Sequence, residues 1–102
     1  MSARLRLVTI VAEAEIAEHL LRDLAVLGLR GWNMVPGEGR WQRAIEGEGP
    51  TDFDGPTVRL ELVAAPDVAE SVLARLAQHW FPRYAVFAWA SDAEVLRPGK
   101  YL

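Results

Sequence analysis

The sequence predicts an α+β fold, a ferredoxin-like βαββαβ sandwich with a long loop between strands 2 and 3. Strand-like alternation and helix-like four-residue spacing follow each other in two β-α-β halves of similar length. A glycine-rich segment separates the halves. The chain has 102 residues, of which 51% are hydrophobic and 25% charged. That length and balance fit one globular domain, residues 1–102.

The first half begins with a strand and a helix. Residues 4–11 alternate at first and then become wholly apolar, which is typical of a strand with a buried face. Residues 13–27 are expected to form an amphipathic helix, because large apolar residues recur every four positions. These are Ile16, Leu20 and Leu24. Gly28 supplies a C-terminal stop for this helix.

The elements on either side of the long loop are also strands. Residues 31–35 (GWNMV) are expected to form strand 2, ended by Pro36. Residues 57–64 alternate, with Val58, Leu60 and Leu62 facing inward, and predict strand 3.

The second half ends with a helix and a strand. Pro66 opens a helix that is expected to run to residue 79, since proline is tolerated in the first helical turn. Residues 83–90 predict strand 4, and Val95 and Leu96 are expected to add a short fifth strand.

The segment between strands 2 and 3, residues 37–56, contains five of the eight glycines, two prolines and five acidic residues. This composition is typical of a mobile loop. Loops of this length inside a compact domain usually have a function. We therefore expect residues 37–56 to carry a function of the protein.

The predicted sheet is more apolar than one layer of helices requires. Val8, Ile10, Phe87 and Trp89 lie in its strands. A sheet face of this kind needs a cover, so we expect a subunit interface in a dimer or trimer.

Composition and charge exclude several classes of protein. The net charge is −3 and the isoelectric point is about 5.3. A general binder of nucleic acid or of anionic membranes needs a basic surface instead. The sequence contains no cysteine and no apolar run of the ~20 residues that span a bilayer. We expect a cytoplasmic protein without membrane insertion.

The sequence contains no pattern that is typical of an enzyme. Its two histidines, His19 and His79, lack a second ligand at metal-binding spacing, and no Ser-His-Asp arrangement is apparent. We therefore expect a non-enzymatic protein without a metal site. Four acidic residues of the loop could bind a cation, although such residues are usually solvated: Glu46, Glu48, Asp52 and Asp54.

The segment Gly37-Glu38-Gly39-Arg40 directly follows strand 2 and has the composition of an anion cradle. Glycines let the backbone N–H groups approach a ligand closely. An adjacent arginine can form paired hydrogen bonds to phosphate or carboxylate oxygens. A glycine-rich turn without this function could carry the same short pattern, so both interpretations stay open.

The chain resembles the PII-like signal transduction family over nearly its full length. GWNMV followed by GEGRWQ is similar to strand 2 and to the Gly-x-Gly-Arg-Gln base of the long T-loop in that family. TVRLELV resembles strand 3. FPRYAVFAWASDAEVLRPGKYL resembles the closing segment, especially in the branch associated with bicarbonate transport and carboxysomes. The T-loop would then be residues 37–56 and the C-terminal segment residues 93–102.

The resemblance implies a homotrimer that binds an adenine nucleotide as effector in clefts between subunits. It implies a T-loop that docks on a partner, commonly a membrane transporter. By position, it implies that the following residues bind the nucleotide: Asn33, Gly37, Gly39, Arg40, Arg83, Arg97 and Lys100. Some members of the bicarbonate branch also bind bicarbonate, for which the candidates are Arg40, Trp41 and Gln42.

Departures from the family pattern narrow the expected ligand. The loop has no tyrosine for uridylylation, and WFPRYAVF stands where the family has a glycine-rich B-loop with a lysine. This favours AMP or ADP over ATP, with cyclic AMP as a further candidate. Two alternatives stay open: a trimeric divalent-cation-tolerance-type metal-binding protein, and a small acylphosphatase-like enzyme that uses Arg40 and Asn33.

Overall fold

The computed structural model describes residues 2–43 and 51–102. Its strands and helices follow the predicted order: β1 (Ala3–Glu13), α1 (Ala17–Ala25), β2 (Asn33–Arg43), β3 (Thr51–Ala64), α2 (Pro66–Arg75) and β4 (Val86–Val95). Three single turns accompany them. A 3-10 turn, Ala14–Ile16, precedes α1, a π-helical turn, Leu76–Trp80, continues α2, and a second 3-10 turn, Pro98–Lys100, follows β4.

In the described part of the chain the strands form one antiparallel sheet in the order β2-β3-β1-β4. β1 lies in the centre, where Ile10 is opposite Leu60 of β3 and Ala88 of β4. This confirms the predicted α+β fold of ferredoxin-like order. It also places β2, which carries the predicted anion cradle, at an edge of the sheet.

Both helices pack on one face of the sheet, because alternate strand residues and one stripe of each helix are apolar. The core between them includes eight completely buried side chains: Val8, Ile10, Leu20, Leu24, Leu60, Leu62, Val72 and Leu76. Burying each such side chain contributes roughly 1.5–3 kcal/mol before entropy is counted. The predicted inward positions of β3 and α1 are confirmed.

We call the opposite sheet face, made by the alternate residues that point away from the helices, the open face. Phe87 and Trp89 lie on it and are 38% and 54% exposed. The expectation that Val8 and Ile10 share that apolar surface is wrong, because both belong to the core under the helices. The reason is strand parity, since residues 8 and 10 alternate with the residues that face outward.

α1 ends as the sequence predicts. Gly28 has φ +100°, and its N–H donates to the carbonyl oxygen of Ala25 at 3.4 Å. This left-handed backbone conformation is cheap for glycine and strained for other residues. The helix therefore stops early enough for the chain to turn back into β2.

The expectation that residues 37–56 form an irregular loop is wrong for much of the segment. β2 continues through Pro36 to Arg43, and β3 begins at Thr51, so the two strands form a long ribbon. Pro36 is tolerated because β2 is an edge strand. Pro56 lies one residue before Thr57, the first residue of β3 that pairs with β1. Its missing N–H therefore interrupts no hydrogen bonds between β3 and β1. Residues 44–50, most of the expected loop tip, lie outside the described residues.

The second half also differs from the prediction at its boundaries. α2 is extended by the π-helical turn to Trp80, where the N–H of Phe81 donates to the carbonyl oxygen of Leu76 at 2.9 Å. β4 begins at Val86 rather than at residue 83. Among the described residues, Val95 forms no separate fifth strand, because it continues β4 and pairs with Ala3 of β1. None of the described helices is both long and apolar enough to cross a membrane.

The part-buried carboxylate of Asp23 joins the two helices. Arg75 of α2 donates from Nε and Nη2 to the two carboxylate oxygens of Asp23 in α1, at 2.8 and 2.9 Å. The indole Nε1 of Trp80 donates to the same carboxylate at 2.8 Å. The hydrogen bonds from Arg75 lead the effects that hold the pKa of Asp23 below its usual 3.8, and they outweigh the opposing effect of burial.

We predict that Asp23→Asn lowers the free energy of unfolding near neutral pH by about 1–3 kcal/mol, because charge-assisted hydrogen bonds are lost. The folded-state pKa is depressed, so this stabilisation is present above pH 3.8 and is lost as the pH falls through the folded-state value. The difference between the two proteins should therefore narrow in acid. Urea unfolding across pH 3–7 measures it, with the exposed Glu70→Gln as control. An equal difference at every pH would contradict this role of the charge.

Candidate functional site

A cavity of about 470 Å³ opens on the open face, beside the first residues of β2. This volume lies in the range typical of small-molecule sites. Its lining combines aromatic, apolar and charged residues: Leu7, Arg30, Gly31, Trp32, Asn33, Glu61, Val63, Lys100 and Tyr101. The sheet forms its floor, and the segments before β2 and after β4 form its walls.

The floor of the cavity is set by strand register. Asn33 of β2 lies directly opposite Glu61 of β3, and Leu7 of β1 lies directly opposite Val63 of β3. Directly opposed residues of antiparallel strands point to the same face. An amide and a carboxylate therefore stand next to two apolar side chains. This pairing offers hydrogen-bond donors and acceptors beside a surface on which an aromatic ring can pack.

The walls add aromatic rings and positive charge. Trp32 is 51% exposed, and Arg30 and Lys100 are exposed as well. The turn Pro98–Lys100 brings Lys100 and Tyr101 to the cavity. It is held by hydrogen bonds from the N–H of Lys100 to the Arg97 carbonyl (3.2 Å) and from the N–H of Tyr101 to the Pro98 carbonyl (3.0 Å). The C-terminal segment thus closes one side of the cavity in its own chain.

The predicted anion cradle lies further along β2. Gly37 pairs with Thr57 and Gly39 with Gly55. Four residues of strand separate Asn33 from Gly37, roughly 13 Å. Gly37 and Gly39 share strand parity with Asn33, so they lie on the same side of the ribbon as the cavity.

Trp41 folds back along the ribbon onto Gly39. A Cβ on Gly39 would overlap Cζ3 of the Trp41 ring and would lie 2.9 Å from Cγ2 of Thr57. The indole also contacts two aromatic rings, with centroid distances of 5.6 Å to Phe53 and 4.7 Å to Phe87. Its Nε1 is buried and has no hydrogen-bond partner among the described residues.

The site residues predicted from the sequence lie in four places in the structure: the cavity, the ribbon, the turn after α2 and the start of the C-terminal turn. Asn33 and Lys100 line the cavity. Gly37, Gly39 and the exposed Arg40 lie on the ribbon, where Arg40 is opposite Asp54.

Arg83 and Arg97 do not line the cavity. Arg83 lies just after the π-helical turn that continues α2, where Nη1 is 3.2 Å from Nδ1 of His79 and donates to the His79 carbonyl oxygen at 3.4 Å. Arg97 is exposed and begins the C-terminal turn. The side chain of Gln42 lies outside the described part of the structure.

Several cavity residues were not identified from the sequence: Leu7, Arg30, Trp32, Glu61, Val63 and Tyr101. Alternation marks Glu61 as outward-facing, but only the strand register shows that it stands beside Asn33. Trp32 could have been identified from the sequence, because a tryptophan at the start of a predicted strand presents a large aromatic surface that needs a partner or a ligand.

Comparison with known proteins agrees with the fold. The nitrogen regulatory protein P-II family matches residues 5–100. A PII-like signalling protein from Thermus thermophilus is 35% identical, with a TM-score of 0.81 over 99% of this chain and 98% of that one. No curated protein sequence matches the chain.

Two structures of CPII from Thiomonas intermedia share the fold at 18% identity. One, bound to ADP, AMP and acetate, has a TM-score of 0.77 over 99% of this chain and 97% of that one. The other, bound to ADP and bicarbonate, has a TM-score of 0.74 over 100% and 98%. With the family match and the 35% relative, these findings show that the chain belongs to the P-II family of signalling proteins.

The geometry gives little support to the two alternatives considered above. Within residues 2–43 and 51–102 no group of three or more His, Cys, Asp or Glu residues is placed to hold a metal ion. Glu46 and Glu48 lie outside that part. Asn33 and Arg40 are seven residues apart on one strand, roughly 23 Å, and differ in parity, so they cannot hold one anion together as an acylphosphatase would require.

We predict that Gly39→Ala displaces the Trp41 ring, because the new methyl group overlaps it and also meets Thr57. Near-ultraviolet circular dichroism, which reports packed aromatic side chains, should lose intensity while the far-ultraviolet spectrum is kept. Gly99→Ala is a matched control, since nothing lies within 4 Å of its Cβ position. Equal near-ultraviolet spectra for both variants would contradict the packing of Trp41 on Gly39.

Proposed function

We propose that this protein is a non-enzymatic regulator that senses an adenine nucleotide, with AMP or ADP preferred, in the cavity beside β2. The observation that carries the proposal is the joint placement of Asn33, Glu61 and the C-terminal turn around a cavity of about 470 Å³ in a P-II family member. CPII, which shares the fold, is bound to ADP and AMP. An aromatic base suits a cavity that combines aromatic and apolar walls with a few polar groups.

The phosphates of such a nucleotide would extend from the cavity towards Gly37 and Gly39. Strand parity places these glycines on the cavity's side of the ribbon, at a distance on the scale of an extended nucleotide. The cationic residues Arg40, Arg97 and Lys100 are proposed to neutralise the phosphates, and Arg83 is proposed to contribute from the turn after α2. Bicarbonate, which CPII also binds, is proposed as a second ligand near Arg40, Trp41 and Gln42.

Isothermal titration calorimetry with AMP, ADP, ATP, cyclic AMP and bicarbonate tests this function. We predict that Asn33→Ala and Arg40→Ala each weaken nucleotide binding by about tenfold or more, because each removes a polar contact worth about 1–3 kcal/mol. Arg22→Ala, an exposed arginine on the outer side of α1, is the matched control and should bind as the wild type does. If none of these ligands binds the wild-type protein, the proposed function is wrong.

The protein is further proposed to work as a homotrimer, with the open face as the subunit interface and the nucleotide sites at the clefts between subunits. The exposed Phe87 and Trp89 support an interface, because aromatic side chains on a sheet face are costly to leave in water.

We predict that Trp89→Glu breaks the oligomer, since a carboxylate would be buried without a partner. Light scattering coupled to size-exclusion chromatography measures the mass, and Ser71→Glu on the exposed side of α2 is the control. A monomeric wild-type protein, or a Trp89→Glu variant that keeps the wild-type mass, would contradict this interface.

The outer part of the ribbon is proposed as the surface that contacts a partner protein, such as a bicarbonate transporter of the cytoplasmic membrane. The protein itself would act in the cytoplasm, in the branch connected with inorganic carbon and carboxysomes. Support for this branch comes from the CPII structure with bicarbonate and from the residues of the C-terminal segment. Co-purification with the product of a neighbouring transporter gene would test it.

A further inference from the structure

We propose that Trp41 is a removable plug over the glycine segment, and that the phosphate groups of a nucleotide must displace its ring. The inference rests on the proposed function and adds a regulatory step to it. Gly39 is free of a side chain, which suits close contact with phosphate, but the space beside it is already filled by a ring of the same chain. The site would therefore hold its own competitive blocker.

The steric evidence is the position of the ring. On the side of Gly39 where a Cβ would point, the nearest atoms are Cζ3 and Cη2 of Trp41, followed by Cγ2 of Thr57. Gly37 is open by comparison, because its nearest neighbour is Oγ1 of Thr57 at 3.5 Å. Both glycines share the side of the ribbon on which the cavity opens. The plug therefore covers one of the two glycines and leaves the other accessible.

Aromatic contacts hold the plug in place. Phe53 lies opposite Trp41 across the ribbon, and Phe87 comes from β4 at the far edge of the sheet and meets the indole edge to face, at 86°. Such pairs are favourable beyond their buried area. Because Phe87 belongs to another strand, the contact fastens the ribbon to the open face.

The buried indole N–H of Trp41 destabilises the docked position of the ring. The Trp41 Nε1–H is buried without an acceptor in the described part of the chain, and an unpaired buried donor carries a penalty comparable with the gain from one or two aromatic pairs. Swinging the ring outward would return this N–H to water or to an oxygen of a bound anion. This penalty offsets part of the aromatic gain, so the docked position is favoured over the released one by only about four- to ninefold, and phosphate binding can shift the population.

The plug predicts a specific pattern of affinities. A nucleoside needs only the cavity, whereas a nucleotide also needs Gly39 uncovered. The apparent association constant for ADP is the intrinsic constant multiplied by the fraction of molecules in which the ring is released. The association constant for adenosine does not depend on this fraction. Trp41→Gln, which removes the ring and keeps a polar side chain, should tighten ADP binding by about five- to tenfold and leave adenosine binding unchanged.

Calorimetry with adenosine and ADP on the same preparations tests the inference. Phe53→Ala, which removes one of the rings that hold the plug, should change ADP binding in the same direction by a smaller factor. Val26→Gln, an 81% exposed apolar residue at the end of α1, is the surface control. Light scattering on every variant checks that the assembly is the same as in the wild type.

The outcomes separate the plug from the proposed function. If wild-type protein binds ADP and Trp41→Gln binds it equally or more weakly relative to adenosine, the plug is wrong and nucleotide sensing stands. If both proteins bind ADP and Trp41→Gln binds it about five- to tenfold more tightly relative to adenosine, the plug is supported. If neither binds adenosine or ADP, both are wrong.

A second measurement observes the ring directly. In nitrogen-15-labelled protein, the indole N–H signal of Trp41 is the one that disappears in Trp41→Gln. It should shift and exchange faster with water on adding ADP and should change little with adenosine. A signal that is insensitive to saturating ADP would overturn the proposal.

Discussion

The unbroken register between β2 and β3 is the constraint on which the rest of the site depends. It runs from Asn33 opposite Glu61 to Arg43 opposite Thr51. At one end it sets an amide beside a carboxylate and so forms the floor of the cavity. At the other end it brings Trp41 opposite Phe53 and lays the indole on Gly39. A slip of one residue would turn each of these groups to the opposite face.

The two faces of the sheet have different roles. The side under the helices is a buried apolar core, and the Asp23 carboxylate, which accepts three hydrogen bonds, joins the helices above it. The open face holds the cavity, the aromatic cluster around Trp41 and the exposed Trp89. The packed core and the surfaces proposed to function are thus on opposite sides of one sheet.

The parts of the fold that follow from local patterns could be predicted from the sequence. Val58, Leu60 and Leu62 alternate, Leu20 and Leu24 repeat at helical spacing, and Gly28 ends α1. The ribbon could not be predicted, because glycine and proline favour turns locally while the pairing of β2 with β3 decided the outcome. Of the residues that line the cavity, Asn33 and Lys100 were named from the sequence, by family position, whereas Glu61 and Tyr101 join them only through tertiary structure.

A crystal structure of the wild-type protein with ADP would test the central claim most directly, because it shows both the ligand's place and the ring's. The account predicts the adenine base in the cavity next to Asn33 and Glu61, phosphates against Gly37 and Gly39, and the Trp41 ring moved off Gly39. ADP bound elsewhere, or bound with phosphates away from a glycine segment still covered by Trp41, would contradict it.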